Sequence, residues 1–263
     1  MTMIYQPQAV NLEKFRSVNA TRAATTTSAR YGFIPTSDVI AQLERAGFIP
    51  VRVQQARVRL EERQGFQKHV LRFRHRDHAA RVGDSIPEIV IINSHDGSSA
   101  YKIMAGVYRL VCANGLIVGS SFAEVSVRHT KNAADDIVDA SFRVVDALPA
   151  IQDGIQTMRD TRLEEGERQE FATAALTLRY PTASPTTPAP IRPAQLLAPR
   201  RSADYDSTLW TTLNVVQESL IKGGQRRQDA TRHRTRKITG VSEDVRINRA
   251  LWTLAEEMQK LKA

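Results

Sequence analysis

The apolar residues of this chain change period part-way along. Up to about residue 118 they alternate or run continuously, as in strands, and from Ile137 they recur every three to four positions, as in helices. Strands gathered first and helices afterwards predict an α+β fold, not a parallel sheet built from βαβ units. The expected architecture is an antiparallel β-sheet with a basic hairpin packed against a long helix, followed by a C-terminal helical segment.

Within that frame, Thr36-Ser37-Asp38 reads as the cap of a short helix, with Val39, Ile40 and Leu43 inward and Gly47 as its stop. Phe48–Leu60 and Lys68–Arg76 read as the strands of a hairpin whose loop is Glu61–Gln67. A bulge at Gln54-Gln55 reconciles the two alternation parities of the first strand. Glu88–Ser94 is a β-branched run suited to a buried central strand, and Tyr101–Ala113 is a further extended stretch. Asn114-Gly115 predicts a type I′ turn. Ile137, Ser141, Val144, Leu148, Ile151, Ile155 and Met158 form one helical stripe, with a kink or break expected at Pro149. Six of the eleven prolines lie between Tyr180 and Pro199, which reads as a linker. Beyond it, Asp206-Ser207 and Ser242 are expected to cap two helices, the first ended by Gly223-Gly224. The expected divisions are a loose arm at 1–30, a core at 31–179, a linker at 180–200 and a helical segment at 201–263.

Charge narrows the partner. The net charge is +9, and the excess sits in two blocks. Residues 51–81 hold nine basic side chains against three acids, and residues 222–237 hold seven against one. An acidic block of ten carboxylates and four arginines spans 135–170. In the hairpin, alternation sets Leu71 and Phe73 on one face and Lys68, Arg72, Arg74 and Arg76 on the other, with Arg57 and Arg59 joining them. The second block, with Arg226, Arg227, Arg232, Arg234, Arg236 and Lys237, has few apolar residues and reads as a mobile loop that orders on binding. Dense arginine of this kind attracts phosphate backbones through counterion release. Phe66 and Tyr101 stand near turns, where an aromatic ring is placed to stack on a base.

Several chemistries are absent by motif. The chain has no phosphate-binding GxxxxGK[ST] loop, no GxGxxG after a strand, no HExxH and no GxSxG. The six histidines lack metal-ligand spacing, so no metal or other cofactor is expected. Cys112, the one cysteine, has apolar flanks and reads as a buried structural thiol. A single cysteine, no secretory leader pattern and no run of about 18 apolar residues fit a cytoplasmic protein without a membrane span. His95-Asp96, at the end of an apolar strand, is the most enzyme-like pair. A metal-dependent nuclease would use such groups, whereas an Asp-Gly turn is the plainer reading.

Two stretches carry a family resemblance. Asn93-Ser94-His95-Asp96-Gly97-Ser98-Ser99-Ala100-Tyr101 leads into Tyr108-Arg109-Leu110-Val111-Cys112-Ala113-Asn114-Gly115-Leu116, and Leu209–Glu218 with Gly223-Gly224 precedes Asn248-Arg249-Ala250-Leu251-Trp252. Together they resemble the phage/plasmid-like domain-of-unknown-function family number nine-three-two, over roughly residues 30–263. The resemblance implies a mobile-element protein and carries no catalytic residues with it. The order of elements is also similar to that of single-strand annealing proteins of the Rad-fifty-two type, which implies rings that hold single-stranded DNA in a basic groove. The resulting expectation is an ATP-independent single-stranded DNA-binding and annealing protein, acting as a homo-oligomeric ring or filament. Backbone contacts would come from Arg57, Arg59, Lys68, Arg72, Arg74, Arg76 and from the second basic block. The alternatives are a nuclease using His95 and Asp96, or a non-enzymatic protein directed at a host factor.

Overall fold

The computed structural model describes residues 8–76, 84–112, 114–119, 124–129, 133–184, 186–228 and 233–262. Its strands are β1 (Phe48–Gln55), β2 (His69–His75), β3 (Ser85–Asn93), β4 (Tyr101–Arg109), β5 (Asn114–Ile117) and β6 (Glu124–Val127). Helix α1 (Thr36–Arg45) precedes them, and α2 (Ala133–Asp146), α3 (Leu148–Asp160), α4 (Glu165–Arg179), α5 (Leu209–Lys222) and α6 (Val241–Lys262) follow. The fold is α+β, as the change of period predicts. The strands form an antiparallel sheet in the order β1-β2-β3-β4-β5, with β6 also pairing β4, Tyr101 opposite Val127. The chain forms two compact units, one of residues 1–108 and 121–149, the other of 109–120 and 150–263.

In the first unit, β2 and β3 are buried on both faces. His69, Leu71 and Phe73 stand across from Asn93, Ile91 and Ile89 on one face, and Val70 and Arg72 across from Ile92 and Val90 on the other. Helix α1 lies over the His69 face and buries Val39, Ile40 and Leu43. It stops where Gly47 takes φ 89°, a left-handed conformation that favours glycine. The bulge in β1 is at Val51, between Pro50 and Arg52, and not at Gln54-Gln55. Pro50 has no N–H to give the ladder, so pairing is interrupted beside it. Strand β1 ends at Gln55, so Arg57 and Arg59 lie outside the ribbon.

Asn114 and Gly115 form the start of β5 rather than a turn, because the strand places the neighbouring Leu116 and Ile117 in the core. The helical stripe behaves as expected: Ile137, Ser141, Val144, Leu148, Ile151, Ile155 and Met158 are all buried. The helix breaks at Ala147, and Pro149 stands in the first turn of α3, where a missing N–H costs nothing.

In the second unit, α5 is buried nearly all round, from Leu209 to Leu220. Its cap is Thr208, whose hydroxyl accepts from the Thr211 amide, while Asp206 holds Thr208. The expected linker is packed instead. Ile191, Leu196 and Leu197 are buried, and Pro193–Leu196 forms a 3₁₀ turn against α4 and α5. Residues 150–179 and 201–263 therefore belong to the same unit, and the proline-rich stretch is not a boundary between them. Trp210, Trp252 and Cys112 are core residues, as expected.

Candidate nucleic-acid interface

The two basic blocks meet different fates. In the first, Arg72 and Arg74 are only 3% and 5% exposed. Both converge on the fully buried Glu88, with Arg72 Nη1 2.8 Å from Oε2 and Arg74 Nε 2.7 Å from Oε1. The Arg74 guanidinium also lies 3.5 Å from the ring centroid of Tyr108. These two arginines therefore do not join an open phosphate-binding face. The alternation assigned their face correctly, but that face is covered, and Glu88 is there to meet them. Lys68 is half-buried, and Arg57, Arg59 and Arg76 are exposed. Arg76 sits just past β2, where its amide donates to Gly47 O at 2.9 Å. The gathered arginine ribbon predicted from alternation is thus reduced to separate exposed side chains. Of the aromatic candidates beside it, Tyr101 is fully buried and Phe66 half-buried.

The described residues of the second block on either side of 229–232 pair through their backbones as a ribbon. The amide of Gly224 donates to Thr235 O at 2.9 Å, and that of Thr235 to Gln225 O at 2.8 Å. The Arg227 amide donates to His233 O at 2.9 Å, and Arg226 and Arg234 pair as an antiparallel bridge. Gly223 and Gly224, at φ 65° and 93°, turn the chain out of α5 into this ribbon. The proline-rich stretch ties it down from the side: Gln228 N donates to Pro190 O, and Gln195 Nε2 to Arg226 O. Arg232, a predicted contact, lies outside the described residues.

A cleft of about 600 Å³ opens beside the ribbon. Arg227, His233, Arg234, Thr235 and Arg236 line it, together with Arg179 and Tyr180 from the end of α4. Arg234 is steadied by a 2.7 Å bond from its Nη1 to Gly224 O. Arg179 reaches Glu243 at 3.0 Å, and its guanidinium lies 5.6 Å from the Tyr180 ring centroid. The Glu243 carboxyl is held below its usual range, first by Arg246, which grips it at 2.8–2.9 Å, and then by Arg179. Arg226, Arg236 and Lys237 are exposed. Arg179, Tyr180 and His233 were not singled out in the sequence. Their only local signal is an Arg-Tyr pair at the head of the proline-rich stretch.

The His95-Asp96 pair does not form a joint site. The His95 imidazole is fully buried, with Nε2 3.1 Å from Thr36 Oγ1. Burial first, then His69 and His129, pull its pKa down to about 3. The Asp96 carboxylate instead accepts from the Ser98 amide at 3.0 Å, an Asp-Gly turn of the plain kind. Among the described residues no group of three or more His, Cys, Asp or Glu is placed to hold a metal ion. None of their helices is long and apolar enough to cross a membrane.

A family model described as a domain of unknown function (DUF932) matches residues 24–252. The chain belongs to the DUF932 family. It is 38% identical over 233 residues to two Escherichia coli (strain K12) proteins, UPF0380 protein YfjQ and UPF0380 protein YafZ. Each alignment covers 88% of this chain and 83% of the relative. No solved structure matches the chain. The likeness to annealing proteins of the Rad-fifty-two type therefore remains one of element order alone, and the DUF932 description names no activity.

Proposed function

We propose that this DUF932 protein binds single-stranded DNA without ATP, through the ribbon and cleft of its second unit, and anneals complementary strands as an oligomer. The observation that carries the reading is the convergence of Arg179, Arg227, Arg234, Arg236 and His233 around one cleft that also holds Tyr180. The arginines suit a phosphate backbone, and a tyrosine among them suits a base that is not paired. Arg226 and Lys237 extend the positive surface along the ribbon. Backbone contact without base-edge readout leaves bases open to pair with an incoming strand, which is what annealing requires.

A salt titration tests the binding step. A cleft that neutralises about 4 phosphates of oligo-dT gives a log–log slope of affinity against salt near −3. Replacing Arg234 and Arg236 by Ala should flatten that slope by about 1.4 and weaken binding at every salt concentration. A slope near zero for the unaltered protein, or one unchanged by the double substitution, would remove the reading. Mixing complementary strands with the protein then separates annealing from binding alone.

A further inference from the structure

A second cleft, of about 350 Å³, lies wholly in the first unit and is not part of the interface above. Arg30, Tyr31, Gly97, Ser99, Arg128 and His129 line it. Its aromatic wall is built, not incidental. The Tyr31 ring stacks on His129 with centroids 4.5 Å apart and planes 20° from parallel. The Tyr31 hydroxyl is fixed by a 2.9 Å bond to Ser94 O. His129 is fixed in turn, because Gly32 N donates to its carbonyl at 3.0 Å and its Nδ1 approaches Gly32 O at 3.3 Å. The ring also interacts with the Ser99 backbone on the cleft wall.

Two cations flank that wall. Arg30 and Arg128 are exposed, and neither makes an ion pair or hydrogen bond with any described residue. The buried arginines of this unit, Arg72 and Arg74, instead bond Glu88. The nearby Asp96 carboxylate is turned onto the Ser98 amide. Two unmatched guanidinium groups beside a fixed aromatic wall are a phosphate site next to a surface for a flat ring. The volume is small for a ligand pocket, and admits one nucleotide rather than a length of strand.

We propose that this cleft binds a single nucleotide, its phosphate between Arg30 and Arg128 and its base against the Tyr31–His129 wall. The nucleotide is either free or the 5′-terminal unit of a DNA strand. Both sources present the same phosphate monoester.

Calorimetric titration of the full chain with thymidine 5′-monophosphate, thymidine and inorganic phosphate tests it. The monophosphate is expected to bind saturably, with thymidine weaker by about tenfold or more. Arg30→Ala with Arg128→Ala should weaken the monophosphate by a similar factor, and thermal unfolding should not move, because both side chains are exposed and unbonded. Oligo-dT with and without a 5′-phosphate distinguishes the two sources. A strand end gives a 5′-phosphate preference that the double substitution erases, and a free nucleotide gives none while the monophosphate still binds. Arg234→Ala with Arg236→Ala should leave monophosphate binding unchanged, so this site and the strand interface fail independently. No saturation in the millimolar range, or binding indifferent to the loss of Arg30 and Arg128, would overturn the proposal.

Discussion

Replacing Thr36 by Val removes the oxygen at which three buried side chains meet. Thr36 Oγ1 accepts from Asn93 Nδ2 at 3.1 Å and lies 3.0 Å from His69 Nε2 and 3.1 Å from His95 Nε2. The tautomers follow from the neighbours. His69 Nδ1 lies 3.1 Å from Gln67 O, so that nitrogen carries the proton and Nε2 accepts from the Thr36 hydroxyl. The hydroxyl has one proton to give, so His95 Nε2 must be the donor of the remaining bond. Thr36, His69, Asn93 and His95 are all fully buried, so no water replaces the lost oxygen. Valine keeps the shape and leaves three polar groups unmet, at about 1–3 kcal/mol each, which sums to roughly 3–6 kcal/mol after some relaxation. Thr36→Ser keeps the hydroxyl and loses one methyl group, at about 1 kcal/mol. Both tryptophans, Trp210 and Trp252, belong to the second unit, so their fluorescence does not report this change directly. Amide hydrogen exchange in β2 and β3 during urea titration does. A valine variant as stable as the serine variant would refute the hub.

The same cluster sets an acid limit. Burial pulls His69 down to about 4, and burial with its neighbours pulls His95 down to about 3, from an ordinary value of 6.5. The unfolded chain therefore takes up these protons first. Stability is full above pH 6.5 and falls as pH drops, through about 4 for His69 and about 3 for His95. His69→Gln should remove about one proton from the slope of stability against pH between 6.5 and 4, and an unchanged slope in urea midpoints would contradict this. Glu88→Gln removes the charge of the carboxylate that the buried Arg72 and Arg74 share, and should cost about 3–5 kcal/mol in chemical denaturation. A loss below about 1 kcal/mol would mean that the pair's other contacts hold them unaided.

The elements that could be read from the chain are those where burial follows period. The stripe from Ile137 to Met158 is core along its whole length, and its break comes next to Pro149. A side chain's partner is another matter when it comes from far along the chain. Thr36 has the composition of a cap, yet it is the first residue of α1 and its hydroxyl oxygen meets His69 and His95, so the cap position falls to Pro35. Alternation put Arg72 and Arg74 on one face but is silent on whether that face is covered. The clue was Glu88, a carboxylate opening a β-branched run, since a buried acid needs a cation beside it.

That difference bears on function. Two blocks of similar basic excess look equivalent as counts, but charge buried on an internal carboxylate is not available to a phosphate backbone. In the first block, the central Arg72 and Arg74 are buried on Glu88, and the exposed arginines Arg57, Arg59 and Arg76 lie outside that pair. In the second, the ribbon bonds its own backbone and hangs on the proline-rich stretch, which leaves its guanidinium groups around a cleft that Arg179 and Tyr180 complete. Backbone bonds already made on either side of 229–232 lower the conformational entropy lost on binding. The proline-rich stretch thereby acquires a role that a linker would not have. It holds the proposed strand-binding surface in shape, so if that reading holds, breaking the Gln195–Arg226 tether weakens DNA binding without removing a single charge.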